Sequence, residues 1–275
     1  MNHPIFPVFP SLARCDGEPL IVKSSRAMKE VCALAARVAA SDARVLIVGE
    51  SGAGKGLVAR FIHARSPRAS RPFVAADCTK LHEELVASEL FGHVTGVPKA
   101  DRSTRGMLLN AHLGTLFLDE ISDMSLHLQA TLLRFLESGE IRTPGARRTG
   151  TTVNVRVISA TNRDLTEQME RRQFRQDLLY RLNVIQIVVP PLRDRPEDIR
   201  PLVERAVAQS GRRLRLAANA LEAMESYRWP GNVRELQNVV GRLALRAPSD
   251  AIDRSDLPSS LFEHNGSGQA PGFAA

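Results

Sequence analysis

A glycine-rich segment is the clearest chemical signal in the sequence. Residues 49–56 read GESGAGKG, in which Gly49, Gly54 and Lys55 match the pattern G-x-x-x-x-G-K. Glycines let backbone N–H groups turn inward around phosphate oxygens, and the lysine ammonium adds positive charge. A purely structural glycine turn is the alternative interpretation. The residues predicted to contact a bound nucleotide through this loop are Gly49, Glu50, Ser51, Gly52, Ala53, Gly54, Lys55 and Gly56.

Two adjacent carboxylates follow an apolar run further along the chain. Asp119 and Glu120 end the segment LFLDE. One carboxylate at such a strand end can hold Mg²⁺, and its neighbour can orient and activate an attacking water. Taken alone, the pair is more typical of a solvated strand end. Behind a phosphate loop, it predicts nucleotide hydrolysis, with Asp119 as the metal ligand.

Three further polar side chains fit the same chemistry. Asn162 ends the strand-like run VISATN, where its amide could help to place water, although a turn-forming role is the alternative. Arg175 and Arg181 stand six residues apart in FRQDLLYR. At about 100° per residue they lie on different faces of a predicted helix. One of them could reach the nucleotide of a neighbouring subunit, while a surface role is the alternative.

The elements that must position these residues alternate along the chain. Helical spacing of apolar residues is found over 26–40 and 125–137, and a further helix is expected after the phosphate loop. This alternation predicts an α/β fold with a mainly parallel sheet. The predicted strands are ARVLIVGE (43–50), PFVAAD (72–77), GTLFLDE (114–120), VNVRVISATN (153–162) and VIQIVVP (184–190).

The pattern changes at PPLRDRPED, residues 190–198, which we interpret as a hinge. Beyond it the spacing predicts three helices, near 197–209, 217–227 and 232–246. Asn232 could cap the last helix, with Glu235 as its capping-box partner. We therefore expect an extended arm over 1–19, an α/β core over 20–190, an α-helical lid over 191–248 and a flexible tail over 249–275.

Composition excludes several classes of protein. The 275 residues are 43% hydrophobic and 24% charged, which is not the composition of a disordered, collagenous or disulfide-rich chain. The net charge of +7 would suit nucleic acid, but a general bias towards arginine explains it equally well. The three cysteines lack metal spacing and indicate a reducing compartment. With neither a signal peptide nor a membrane-spanning apolar run, the sequence predicts a cytoplasmic protein.

Eight separated motifs then resemble one known family. They are GESGAGKG, SELFGH, GTLFLDEISDM, LQATLLRFLESGE, VRVISATNRDL, FRQDLLYRLNVIQI, PPLRDRPEDI and WPGNVRELQN, all within residues 18–248. In this order they look like the AAA+ central domain of bacterial enhancer-binding proteins, which activate the sigma-54 form of RNA polymerase. The resemblance implies a P-loop AAA+ core with a small helical lid, and ATP and Mg²⁺ as cofactors.

The resemblance also implies roles for single residues. The matching positions are the phosphate loop Gly49 to Lys55, the Mg²⁺ ligand Asp119, the water-activating Glu120, the first sensor Asn162, the trans-acting Arg175 and Arg181, the second sensor Arg234, and Leu20, Ile21 and Val22 near adenine. The family works as a hexameric ring in which hydrolysis between subunits remodels the closed complex of sigma-54 RNA polymerase holoenzyme with a promoter. Self-assembly or assembly with a related activator subunit is therefore expected.

Three departures from the family pattern stand out. After Phe91, Gly92 and His93, the stretch VTGVPKADRSTRG replaces the family's polymerase-contacting loop G-A-F-T-G-A. Asp77 stands where the family has an asparagine that pairs with the water-activating glutamate, and we expect it to repel Glu120 or to raise a carboxyl pKa. Gly56 replaces a glutamate and also lacks the hydroxyl that often assists Mg²⁺.

These departures leave a second hypothesis open. In it the chain is a nucleotide-responsive regulatory subunit, or a regulator that works without sigma-54. An AAA+ remodeller of another target is a third possibility. The stretch after residue 248 offers no room for a two-helix DNA-reading unit, so specific DNA binding by this chain alone is not expected. A partner subunit, or a longer natural chain, would then supply it.

Overall fold

The computed structural model describes residues 21–79, 90–91, 106–141, 151–212, 214–246 and 251–263. All five predicted strands are present, and they pair in parallel in the order β2-β3-β6-β1-β7. These strands are β1 (Val45–Val48), β2 (Phe73–Asp77), β3 (Thr115–Asp119), β6 (Arg156–Thr161) and β7 (Ile185–Val188). Two short pairs add β4 (Glu140–Ile141) with β5 (Thr151–Thr152) and β8 (Arg215–Leu216) with β9 (Ala251–Ile252).

Helices cover both faces of the sheet and form the region that follows it. They are α1 (Arg26–Ala39), α2 (Lys55–Ala64), α3 (Met107–Asn110), α4 (Leu126–Ser138), α5 (Leu165–Glu170), α6 (Gln176–Leu182), α7 (Ile199–Ser210), α8 (Ala218–Ser226), α9 (Asn232–Arg246) and α10 (Ser260–Glu263). Single 3₁₀ turns occupy Ile121–Asp123, Leu192–Asp194, Pro196–Asp198 and Arg254–Asp256. Within the described ranges, no helix has the length and apolar content that a membrane span requires.

The sheet separates two apolar layers because successive side chains of a strand point to opposite faces. Val45 and Ile47 face α1 and α2, whereas Leu46 and Val48 face α4 and α6. The strands are therefore buried on both sides, as their continuous apolar runs predict. This three-layer core fixes the carboxyl ends of the parallel strands along one edge, where the phosphate loop, Asp119 and Asn162 all follow.

A separate apolar cluster holds together the region after the sheet. Helices α7, α8 and α9 pack around Trp229, which is fully buried and donates its indole N–H to the carbonyl of Met224 at 2.8 Å. The predicted all-α region also contains the short parallel pair β8–β9. We call this region, from residue 191 onward, the lid.

The structure differs from the flexible tail predicted over 249–275. Residues 251–263 form β9, a 3₁₀ turn and α10. Ile252, Leu257 and Leu261 are buried in the apolar cluster of the lid. The prediction of a flexible tail is therefore wrong for residues 251–263. The glycine-rich and alanine-rich composition nearby indicated flexibility, whereas the burial of these three apolar side chains depends on helices distant in sequence.

Candidate functional site

The phosphate loop connects the buried strand β1 to helix α2. Gly52 and Gly54 adopt positive φ angles of 77° and 108°, a region that favours glycine because it has no Cβ. Lys55 is the first residue of α2, so the loop ends at the positive end of that helix. Gly56 lies in the same first turn, where an added Cβ would meet only the Phe117 ring at 3.8 Å. The space around position 56 would therefore accept a Cβ.

The Lys55 ammonium lies at the centre of the loop. Its Nζ donates to the carbonyl oxygens of Gly49 and Glu50 at 2.9 and 3.3 Å. It also forms an ion pair with Glu120 Oε1 at 3.1 Å. The Lys55 side chain is only 5% exposed, so this positive charge is held where a phosphate would enter.

Both carboxylate oxygens of Glu120 accept hydrogen bonds. While Oε1 meets Lys55, Oε2 accepts a hydrogen bond from the backbone N–H of Asn162 at 2.9 Å. The backbone of Glu120 has a φ of 54°, an uncommon conformation for a residue other than glycine. Such strain is typical of functional sites. The structure thus brings Lys55, Glu120 and Asn162 together.

Asp119 ends β3 with one buried carboxyl oxygen, Oδ1, that has no hydrogen-bond partner in the described part of the chain. Burial raises the pKa of the Asp119 carboxyl, and the neighbouring Glu120 charge raises it further. Among the described residues, no group of three His, Cys, Asp or Glu side chains could hold a metal. The residues therefore fit Mg²⁺ bound by one carboxylate, with nucleotide phosphates and water as the other ligands.

Asp77 lies beside Asp119, since the two residues are partners in the register of β2 and β3. Asp77 Oδ1 accepts hydrogen bonds from the N–H and the hydroxyl of Thr79 at 3.1 and 2.6 Å. Its charge contributes to the raised pKa of Asp119, after burial and Glu120. Replacing the family's asparagine therefore adds negative charge to the metal position.

Lid residues contact the phosphate loop directly. Arg193 donates two hydrogen bonds to the Glu50 carboxylate, at 2.9 and 2.6 Å, and thereby lowers the pKa of Glu50. Arg234, the predicted second sensor, donates to Ser51 Oγ at 3.1 Å. The role of Arg234 as a second sensor stays a prediction.

Two lid residues at the loop carry roles that the sequence analysis missed. Asn232 does not cap its helix in the predicted way, because its side chain bonds to the loop and to the backbone N–H of Leu192. Glu235 instead accepts from the N–H of Gly231 at 2.8 Å. Arg195 is 3% exposed and donates to the carbonyl of Ala53 at 2.6 Å. The charges of PPLRDRPED were a signal for this contact.

The segment expected near adenine lies between the core and the lid. Ile21 packs against the apolar layer of α1 and α2, and Val22 packs against the lid cluster. Leu20 lies outside the described residues, as does the loop that follows Phe91. Phe91 itself is buried in the apolar core.

The two candidate trans-acting arginines have no described partner within this site. Arg175 precedes α6 and pairs with Asp177 at 2.7 Å, and it is exposed. Arg181 is exposed in the last turn of α6. In the described part of the chain, no hydrogen bond or ion pair connects either arginine to the phosphate loop. Within a single chain, therefore, the structure does not bring them to the nucleotide position.

Family comparisons agree with this geometry. Residues 21–188 match the Sigma-54 interaction domain, and residues 193–272 match an AAA+ ATPase lid domain. NtrC of Rhizobium meliloti, a DNA-binding transcriptional regulator, is 44% identical over 90% of this chain and 51% of its own length. The alginate biosynthesis regulator AlgB of Pseudomonas aeruginosa is 48% identical over 87% of this chain and 54% of its own. The chain thus spans about half the length of the curated relatives it matches.

Solved structures with the same fold include nucleotide complexes. NtrX of Brucella abortus in complex with ADP has a TM-score of 0.82 and 35% identity, and it covers 90% of this chain and 57% of that chain. Its complex with ATP has a TM-score of 0.80 and 36% identity, with coverages of 88% and 57%.

Proposed function

The chain belongs to the family of sigma-54 interaction domains with an AAA+ lid, and on that premise we propose that it is the ATPase of a sigma-54-dependent transcriptional activator. One observation carries the proposal. At the mouth of the phosphate loop, the Lys55 ammonium pairs with Glu120, and the neighbouring Asp119 at the end of β3 has a buried oxygen without a hydrogen bond to any described residue. This arrangement has a place for each part of MgATP hydrolysis.

The chemistry follows from these positions. Phosphate oxygens compete with Glu120 for the Lys55 ammonium, so nucleotide entry frees the carboxylate. Glu120 then accepts a proton from water as the water oxygen bonds to the γ-phosphorus and the bond to ADP breaks. Mg²⁺, when bound at Asp119, neutralises charge on the phosphates. The Asn162 backbone N–H bonds to Glu120, and we propose that the Asn162 side chain orients the water.

We propose that a neighbouring subunit completes the site by supplying an arginine. Arg175 and Arg181 are exposed, and no described contact joins them to the phosphate loop of their own chain, which favours a role in a neighbouring site of a ring, expected to be a hexamer. Arg234 would complete the site from the lid. We further propose that the ring acts in the cytoplasm on sigma-54 RNA polymerase bound at a promoter.

The family match favours this activator over a regulatory subunit without catalysis. Asp119 and Glu120 are both present at the end of β3, and a subunit that only senses nucleotide would not need them. We also propose the division of the chain at residues 190/191 into core and lid, since β7 ends at Val188 and the lid helices follow.

Two variants and one assay test the proposal. Lys55→Ala should abolish ATP binding, and Glu120→Gln should preserve binding while lowering hydrolysis about 100-fold or more. The purified chain with ATP should open a sigma-54 promoter bound by the holoenzyme. Active hydrolysis without promoter opening would support the regulator that works without sigma-54. ATP binding that survives Lys55→Ala would refute the assignment of the loop.

A further inference from the structure

Three consecutive carbonyl groups of the phosphate loop accept hydrogen bonds from the lid. They belong to residues 51–53. Asn232 Nδ2 lies 3.1 Å from the first carbonyl oxygen, and the backbone N–H of Val233 lies 3.1 Å from the second. The Arg195 guanidinium lies 2.6 Å from the third. The donors come from two segments of the lid, and both segments are far from the phosphate loop in sequence.

These bonds fix the direction of the N–H groups that would meet phosphate. In a planar trans peptide, the carbonyl of one residue and the N–H of the next point in opposite directions. Holding the carbonyls of Ser51 and Ala53 towards the lid therefore turns the N–H groups of Gly52 and Gly54 away from it. The carbonyls of Gly49 and Glu50 are held by Lys55 instead. An anion-binding nest needs this arrangement.

Asn232 connects the loop to the lid in several directions at once. Its amide nitrogen also donates to Glu50 at 3.0 Å, and its oxygen accepts from Leu192 N–H at 2.7 Å. Asn232 is fully buried and has a φ of 53°, which asparagine tolerates better than most residues. A Cβ at Gly52 would approach the Gly231 carbonyl oxygen to 2.4 Å, so the two backbones meet without side chains between them.

We infer that Asn232 and Arg195 are positioning residues that preorganise the phosphate loop for the phosphate chain of a nucleotide. Both residues donate hydrogen bonds to carbonyl groups of the loop, and the N–H groups on the opposite side of the loop bind the phosphates. Movement of the lid would release the carbonyls, so phosphate affinity depends on lid position. This inference rests on the proposed binding of nucleotide, and it adds a role for lid residues other than Arg234.

The test removes each donor separately. Asn232→Gly keeps the left-handed backbone, and Arg195→Met keeps the length of the side chain. Exposed positions supply the controls: Asn238→Gly in the same helix and Arg200→Met in α7. Titration calorimetry on the full chain measures the Kd for ADP and for inorganic tripolyphosphate. Tripolyphosphate binding is assigned to the phosphate loop only if the Lys55→Ala variant loses it.

Each lid variant should bind both ligands about ten-fold more weakly, the loss expected for one buried hydrogen bond, and the controls should stay within about two-fold. Unchanged affinities would overturn the inference. Weaker ADP binding with unchanged tripolyphosphate binding would also overturn it, because the effect would then lie at the adenine side. If one variant does not fold, the other decides, since its donor serves a different carbonyl. A wild-type chain that binds neither ligand would refute the proposed function itself.

Discussion

Asp119 has a buried carboxyl oxygen without a hydrogen bond within the described ranges, and its charge is expected to have opposite effects on stability and on activity. Burial and the adjacent Glu120 raise the pKa of Asp119, because both disfavour its ionised form. A group whose pKa is raised on folding stabilises the fold at low pH and loses that contribution as the pH rises through the raised value. At neutral pH and without metal, the ionised Asp119 therefore destabilises the fold.

Asp119→Asn should make the metal-free chain more stable and inactive. We expect the free energy of unfolding at pH 7 to rise by about 1 kcal/mol, as is common when strain at an active site is removed. Denaturant unfolding measures this gain, which should disappear as the pH falls towards 3.8, the ordinary pKa of aspartate. Mg²⁺-dependent hydrolysis should be lost.

The exposed carboxylate of Glu222 supplies the control, since Glu222→Gln makes the same chemical change on the surface of α8. That variant should change neither stability nor hydrolysis. A less stable Asp119→Asn chain would mean that the fold stabilises the ionised carboxylate more than burial and Glu120 disfavour it, and the assignment to Mg²⁺ would lose its support.

At the scale of elements, the local sequence predicted the strands and the positions of the motifs, but not the contacts between segments distant in sequence. Each apolar run became a strand, because a strand buried on both faces must be apolar throughout. The motif residues then fell at the carboxyl ends of these strands, as the fold class requires. The order β2-β3-β6-β1-β7 was not predicted, because strand order depends on packing between distant segments.

Contacts between core and lid were the part that the sequence concealed. Asn232 fitted the local pattern of a helix cap, and only the folded chain brings its side chain to Glu50. Arg195 likewise reaches Ala53 across 142 residues of sequence. Short-range patterns carry no information about such pairs, so their roles had to come from the structure.

The stretch after α9 is an element whose contribution to stability can be measured. Leu261 in α10 is 7% exposed and packs into the lid cluster, whereas Leu245 at the end of α9 is 86% exposed. Leu261→Ala should lower the free energy of unfolding of the lid by about 2–3 kcal/mol, because it leaves a cavity.

Leu245→Ala makes the same substitution at the surface and should cost less than about 0.5 kcal/mol. Thermal unfolding followed by circular dichroism compares the two variants. Equal effects would indicate that 251–263 does not pack on the lid in solution, as the flexible tail predicted from the sequence would require.

At the scale of the whole molecule, the proposed site needs a neighbouring subunit to complete it. The phosphate loop, Asp119 and Glu120 form one side of it, and no described contact brings Arg175 or Arg181 to that side. Arg181 also lies close enough to Arg44 for their like charges to lower the pKa of Arg44, after burial. An anion supplied by a neighbouring subunit would relieve this repulsion.

Mixing two inactive variants tests whether Arg181 acts between subunits. Arg181→Ala and Glu120→Gln should each abolish hydrolysis alone. In a mixed ring, an Arg181→Ala subunit keeps Glu120, and a neighbouring Glu120→Gln subunit supplies Arg181. Random assembly of equal amounts makes about one quarter of the interfaces complete, so about one quarter of wild-type phosphate release should return. If Arg181 instead served its own nucleotide, every subunit would lack one group, and the mixture would stay inactive at any ratio.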